Sequence, residues 1–153
     1  MEKCKSIPSW DMWFMEQAQV VSKRSKDPST KTGAVVVRPD HTIVSMGYNG
    51  FPKVMPDVMK WYLDRTEKYS RIVHCEVNAL IFAREPLIEC TLYTWPFLSC
   101  DRCCVQMLQA GITRFVAPKP SHDSLLRWGA AFNRTKQYCY ECGAEVTELE
   151  QVT

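Results

Sequence analysis

The chain has no long apolar run. None of its 153 residues belongs to a stretch approaching the roughly 20 apolar residues that a membrane span needs, so no membrane partner is expected. The opening segment "MEKCKSIPSW" lacks the apolar run of a secretory signal. Charge of one sign is missing as well. Nineteen Lys and Arg against seventeen Asp and Glu leave a net charge of +2. That balance carries no electrostatic footprint for nucleic acid, and no basic tail is visible. A small anionic ligand stays open, because one or two local cations suffice for a phosphate. There is no repeat, low-complexity tract or linker, and the length fits one domain over residues 1–153.

Hydrophobic residues make up 46% of the chain, enough to build a core, and there are eight cysteines. Without a signal segment these do not read as a disulfide framework. They read as metal ligands or reactive thiols in a reducing compartment: the cytoplasm, or the host's cytoplasm for a viral chain.

The pattern of elements is α-β-β-α-β-α-β-α with a small final strand. Trp13, Gln17, Val20 and Val21 step at helical spacing, so a helix runs from Trp10 to about Ser25, with Ser9 as its cap. "GAVVVR" and "TIVSMGY" flank "PDH" as a hairpin (33–38 and 42–48). A short helix is expected over 58–69 and another over 73–84. A strand follows at 90–95, and a helix over 100–110 that Gly111 ends. A strand at 113–117, a helix from 123 to about 141 and a last strand at 144–149 complete the order. Strands alternating with helices after a hairpin imply an α/β chain: a mixed sheet with helices packed on its faces.

Two stretches carry the chemistry. "HCE" sets His74 two residues before Glu76, and after residues 77–99 "CDRC" supplies Cys100 and Cys103. A catalytic zinc takes three protein ligands and leaves a fourth position for water. Cysteines three apart share a helix face. Zinc–sulfur bonds of about 2.3 Å then need their sulfurs roughly 3.8 Å apart. The first turn of a helix also favours thiolate over thiol. Glu76 discriminates between site types. A structural zinc site closes with a fourth Cys or His and has no use for a carboxylate. A hydrolytic site needs one, to take a proton from water and deliver it to substrate.

With these motifs the sequence resembles the zinc-dependent cytidine and deoxycytidylate deaminase superfamily, whose pattern is H-x-E followed by P-C-x-x-C. "RSKDPSTKTGAVVV", "GYNGFP", "VHCEVNAL", "CTLYTWPFLSCDRC" and "LQAGITRFV" bring it nearer to the deoxycytidylate (dCMP) branch, over nearly the whole chain. The resemblance implies a three-layer cytidine-deaminase-like fold, with about five strands in a mixed sheet and helices on both faces. It implies His74, Cys100 and Cys103 as ligands of one Zn2+, and Glu76 as the proton shuttle in hydrolytic attack on carbon 4 of cytosine. The substrate implied is dCMP, with dUMP and ammonia as products. A 5-modified dCMP, dCTP or a non-catalytic nucleotide-sensing role are the alternatives. A homo-oligomer, commonly a hexamer, with dCTP and dTTP as effectors, comes with the same resemblance.

Asn49 matches a residue expected at the substrate's sugar; alternatively it is a turn residue beside Gly50. Arg24 and Ser25 match a region that meets the 5′-phosphate; Arg24 reads equally as a solvated charge at a helix end. Three positions depart from the pattern. Cys75 stands where alanine is usual and is expected to line the site. Ser99 stands where proline is usual. Trp95 replaces a small polar residue and reads either as a pocket wall or as core. Cys75 has no second histidine nearby to activate it as a nucleophile. "CYEC" places Cys139 and Cys142 at the end of a helix; buried thiols are expected there rather than a second, structural zinc.

Overall fold

Strand parity organises the molecule. In β1 (Gly33–Val37) the side chains of Ala34 and Val36 join one buried cluster, and those of Val35 and Val37 join another. The same alternation separates Leu92 from Tyr93 in β3 (Thr91–Trp95). It separates Phe115 and Ala117 from Val116 in β4 (Arg114–Pro118). A period of two lays successive side chains on opposite faces, and here both faces are apolar, as in a sheet covered on both sides. With β2 (Ile43–Tyr48) and β5 (Glu145–Leu149), these strands form a five-stranded sheet of order β2-β1-β3-β4-β5. The β2–β1–β3 pairings are antiparallel, and β3–β4–β5 are parallel. The computed structural model describes residues 1, 4 and 6–150.

One face is covered by α1 (Trp10–Ser22) through Phe14, Met15 and Ala18. Ser9 caps this helix by accepting a hydrogen bond from the Met12 N–H. Asp11 fastens α1 across the sheet, accepting two bonds of 2.7 Å from Arg114 and one of 2.7 Å from the Tyr93 hydroxyl. The Arg114 bonds, helped by Tyr93, hold the Asp11 carboxyl below its usual range against the upward push of burial. The other face is covered by α4 (Cys75–Phe82), α5 (Asp101–Ala110) and α6 (His122–Glu141), through Ala79, Met107 and Phe132 among others. The result is the three-layer mixed-sheet α/β fold expected. The α4 helix lies so close on β2 that a Cβ on Gly47 would meet the Cys75 carbonyl oxygen at 2.4 Å.

Where sequence and structure differ, the differences are local. The helix expected over 58–69 is two short ones, α2 (Met59–Leu63) and α3 (Arg65–Arg71). Asp64 breaks the run in an extended conformation, and its side chain caps α3. The helices expected to begin at Val73 and Cys100 begin at Cys75 and Asp101, so that His74 and Cys100 are their N-caps. Gly111 ends α5 in the left-handed region, as its position suggested. Among the described residues no helix is long and apolar enough to cross a membrane.

Candidate active site

The N-termini of α4 and α5 converge on one point. His74 and Cys100 both cap a helix with extended backbone (ψ 155° and 162°). That conformation turns their side chains off the helix axis and toward each other. The His74 Nδ1 lies 3.2 Å from the Cys103 sulfur and 3.6 Å from the Cys100 sulfur. The three donor atoms all fall within 4.8 Å of one another, and no other such group of His, Cys, Asp or Glu occurs among the described residues. The Cys100 sulfur also accepts the Cys103 backbone N–H at 3.4 Å.

Electrostatics suits a cation here. Hydrogen bonding from Cys103, with His74 adding to it, outweighs burial and brings the Cys100 thiol down to about 4. The same shared proton pushes Cys103 up. His74 is raised, first by its contact with Cys100 and then by the charge of Glu76, against a downward push from burial. One ready thiolate, a second thiol beside it and an imidazole, at two positive helix ends, make a donor set for zinc.

Glu76, 6% exposed, sits one residue inside α4 and lines a cavity of about 350 Å³ together with His74 and Cys100. Its Oε1 accepts a 2.9 Å bond from the buried Ser99 hydroxyl. The apolar wall of the cavity is Phe97, Trp128 and Phe132, the Phe97 ring lying 4.8 and 5.5 Å from the other two. Lys68 and Arg127 stand at its cationic side. Lys68 donates to Ser29 and pairs with Asp27 at 2.7 Å. Arg127 lies 4.2 Å over the Trp128 ring and has no carboxylate partner among the described residues.

The structure brings His74, Glu76, Cys100 and Asn49 to the cavity, with Cys103 directly behind. Asn49 is already engaged on every side. Its side-chain amide donates to the Thr30 carbonyl at 2.9 Å and, more weakly, to Asp27 at 3.4 Å, while its oxygen accepts the Thr32 N–H at 2.8 Å. It clamps the "SKDPST" loop as well as lining the cavity.

Four other expected residues lie elsewhere. Ser25 is buried, donating to the Asn49 carbonyl and accepting from the Asp27 N–H, so its hydroxyl is committed to the loop. Arg24 is exposed just past the end of α1 and does not line the cavity. Cys75 is not a lining residue. It shares a helix face with Ala79 and points into the core, where burial pushes its thiol well up. Trp95 is half-buried and packs against the core on the α1 face, because it shares the parity of Tyr93.

Sequence reasoning missed Asp27, Lys68, Trp128 and Arg127. Lys26 and Lys31, the cations nearest the loop in sequence, are tied to Asp57 and to the Ser25 carbonyl. The parity of Trp95 was readable from Tyr93. Nothing in the local pattern marked Arg127 or Lys68.

Comparison with known proteins points the same way. Residues 8–119 match the family described as the cytidine and deoxycytidylate deaminase zinc-binding region. An Aliivibrio fischeri protein described as an uncharacterized deaminase in the luxG 3′ region is 35% identical over 143 residues, which is 94% of this chain and 95% of that one. The deoxycytidylate deaminase of Homo sapiens is 33% identical over 122 residues, covering 75% of this chain and 68% of its own. That of Mycobacterium phage D29 is 35% identical over 129 residues, covering 76% and 99%. In fold, the chain resembles a solved dCMP deaminase from the cyanophage S-TIM5, in complex with dCMP and dUMP. The TM-score is 0.72 at 22% identity, over 94% of this chain and 99% of that one.

Proposed function

This chain belongs to the family of the cytidine and deoxycytidylate deaminase zinc-binding region, and we propose that His74, Cys100 and Cys103 hold its zinc while Glu76 moves the protons. The activity is hydrolytic deamination of dCMP to dUMP with release of ammonia. The observation that carries the assignment of residues is the Glu76 carboxylate in one cavity with a three-donor set that has no fourth protein ligand among the described residues.

Zinc, when bound, supplies the positive charge that makes a water nucleophilic near neutral pH. The chain's own residues do the rest. Glu76 takes the proton that leaves the water as oxygen adds to carbon 4, and gives it to the neighbouring ring nitrogen. It then carries a second proton to the departing amino group, so that dCMP and water become dUMP and ammonia. Phe97, Trp128 and Phe132 offer the base an apolar wall that excludes bulk water. Arg127, rather than Arg24 and Ser25, meets the 5′-phosphate, with the Asp27-paired Lys68 beside it. Asn49 faces the sugar while it holds the loop.

Residues 1–153 act as one domain in this reading, since the cavity draws side chains from Asp27 to Phe132. The unpaired edge strand β2, with Met46 and Tyr48 exposed, supports a homo-oligomer, with a hexamer regulated by dCTP and dTTP as its fullest form. Free thiols at the zinc site suit a reducing cytoplasm.

The test is ammonia release from dCMP by the purified protein and by Glu76→Gln. Zinc content is expected to stay at one per chain while turnover falls by at least about 10²-fold, the scale of a lost general acid–base. Undiminished turnover in Glu76→Gln would sink the assignment. The same assay on deoxycytidine, dCTP and 5-methyl-dCMP, with and without dCTP and dTTP, checks the substrate and the effectors.

A further inference from the structure

Ser99 stands where the family pattern has a proline, a residue with no hydroxyl to donate. Here the side chain is 1% exposed, and its Oγ donates to Glu76 Oε1 at 2.9 Å. Ser99 is itself held from a second side. The Ser99 carbonyl accepts a 2.8 Å bond from the hydroxyl of Thr135, which is completely buried on α6. Three and seven residues before Thr135, the same helix supplies Phe132 and Trp128 to the cavity. Helix α6 lies beyond the family-matching residues 8–119. A segment outside the family-model match therefore fixes the backbone of residue 99, and residue 99 in turn grips the glutamate.

We propose that Ser99, set by Thr135, is a positioning residue for Glu76. The hydroxyl commits Oε1 as an acceptor and leaves the second carboxylate oxygen to take up and release the proton. A glutamate has three side-chain torsions, so a free carboxylate at the cavity wall would sample several orientations. One buried bond to its charged end selects a single orientation, in a low-dielectric setting where such a bond is strong. The benefit falls on the proton-transfer step and not on binding, because Ser99 does not line the cavity. The bond from Thr135 reaches the backbone carbonyl and not the Ser99 hydroxyl, so the link orients the serine and does not relay a proton. This inference rests on Glu76 being the proton shuttle.

The experiment is a double-mutant cycle on dCMP turnover with Ser99→Ala, Glu76→Gln and the two together, with zinc content and melting temperature measured on each. In Ser99→Ala, kcat is expected to fall about 10-fold or more, the scale of a lost bond to a charged group. KM, zinc content and melting temperature are expected to stay near those of the unchanged protein. In the Glu76→Gln background, Ser99→Ala is expected to cost nothing further, because the group it orients is gone. Thr135→Val is expected to show a smaller loss of kcat alone, about 3-fold. Full kcat in Ser99→Ala would overturn the inference, and so would a loss that simply multiplies with that of Glu76→Gln. In either case the role of Glu76 would stand. Undiminished turnover in Glu76→Gln would instead remove the premise.

Discussion

The chain carries two Cys-x-x-Cys pairs, and the fold treats them in opposite ways. Cys100 and Cys103 open α5. The first is the cap, the second lies in the first turn, and both sulfurs reach the His74 ring. Cys139 and Cys142 close α6. Cys139 is fully buried, as expected, with its sulfur 3.8 Å from that of Cys104, while Cys142, expected to be buried too, is exposed as the C-cap. Spacing is the same in both. What differs is the end of the helix. Unpaired N–H groups at a start stabilise thiolate, and unpaired carbonyls at an end oppose it. A third ligand from another element is the other difference: α4 delivers His74 to the first pair, and among the described residues none completes the second.

The largest effect that separates the pairs is expected from Cys103→Ala. It removes one of three zinc donors, so zinc content by emission spectroscopy should fall well below one per chain. Turnover should drop by more than the roughly 10²-fold assigned to losing a general acid–base alone. Full zinc and activity in this variant would break the comparison.

Cys139→Ala comes next. It leaves a small gap where Cys139 meets Cys104 and should cost on the order of 1–2 kcal/mol in denaturant unfolding, with zinc and kcat retained. Loss of zinc here would mean that the second pair is also a metal site. The smallest effect is expected from Cys142→Ser, whose thiol is solvent-exposed. Stability should shift by no more than about 0.5 kcal/mol, and nothing else should change.

Much of the site was legible because it is made of short-range patterns. His74 and Glu76 are two apart, Cys100 and Cys103 are three apart, and each pair opens a helix that the local sequence announces. The mixed sheet with helices on its faces followed from the alternation of strands and helices after the hairpin, whereas the strand order came only with the structure. Other residues were misplaced for one recurrent reason: being near a motif in sequence was taken as being near it in space. Ser25 and Cys75 lie close to motif residues along the chain, yet one ties its loop to the Asn49 carbonyl and the other faces the sheet. Trp95 follows the parity of its strand to the far side.

The sequence by itself determined two local pairs, His74 with Glu76 and Cys100 with Cys103, each at the start of a helix, and a mixed sheet covered by helices, since helical and strand periods place those residues without help from distant parts of the chain. The meeting of the two pairs needs α4 and α5 to pack together. Only the tertiary structure decided what surrounds them. Arg127, Trp128 and Thr135 reach the site because α6 packs back across α5. Lys68 reaches it because Asp64 breaks the preceding helix and lets α3 turn toward Asp27. These approaches depend on how whole elements pack, and a local period carries no record of that.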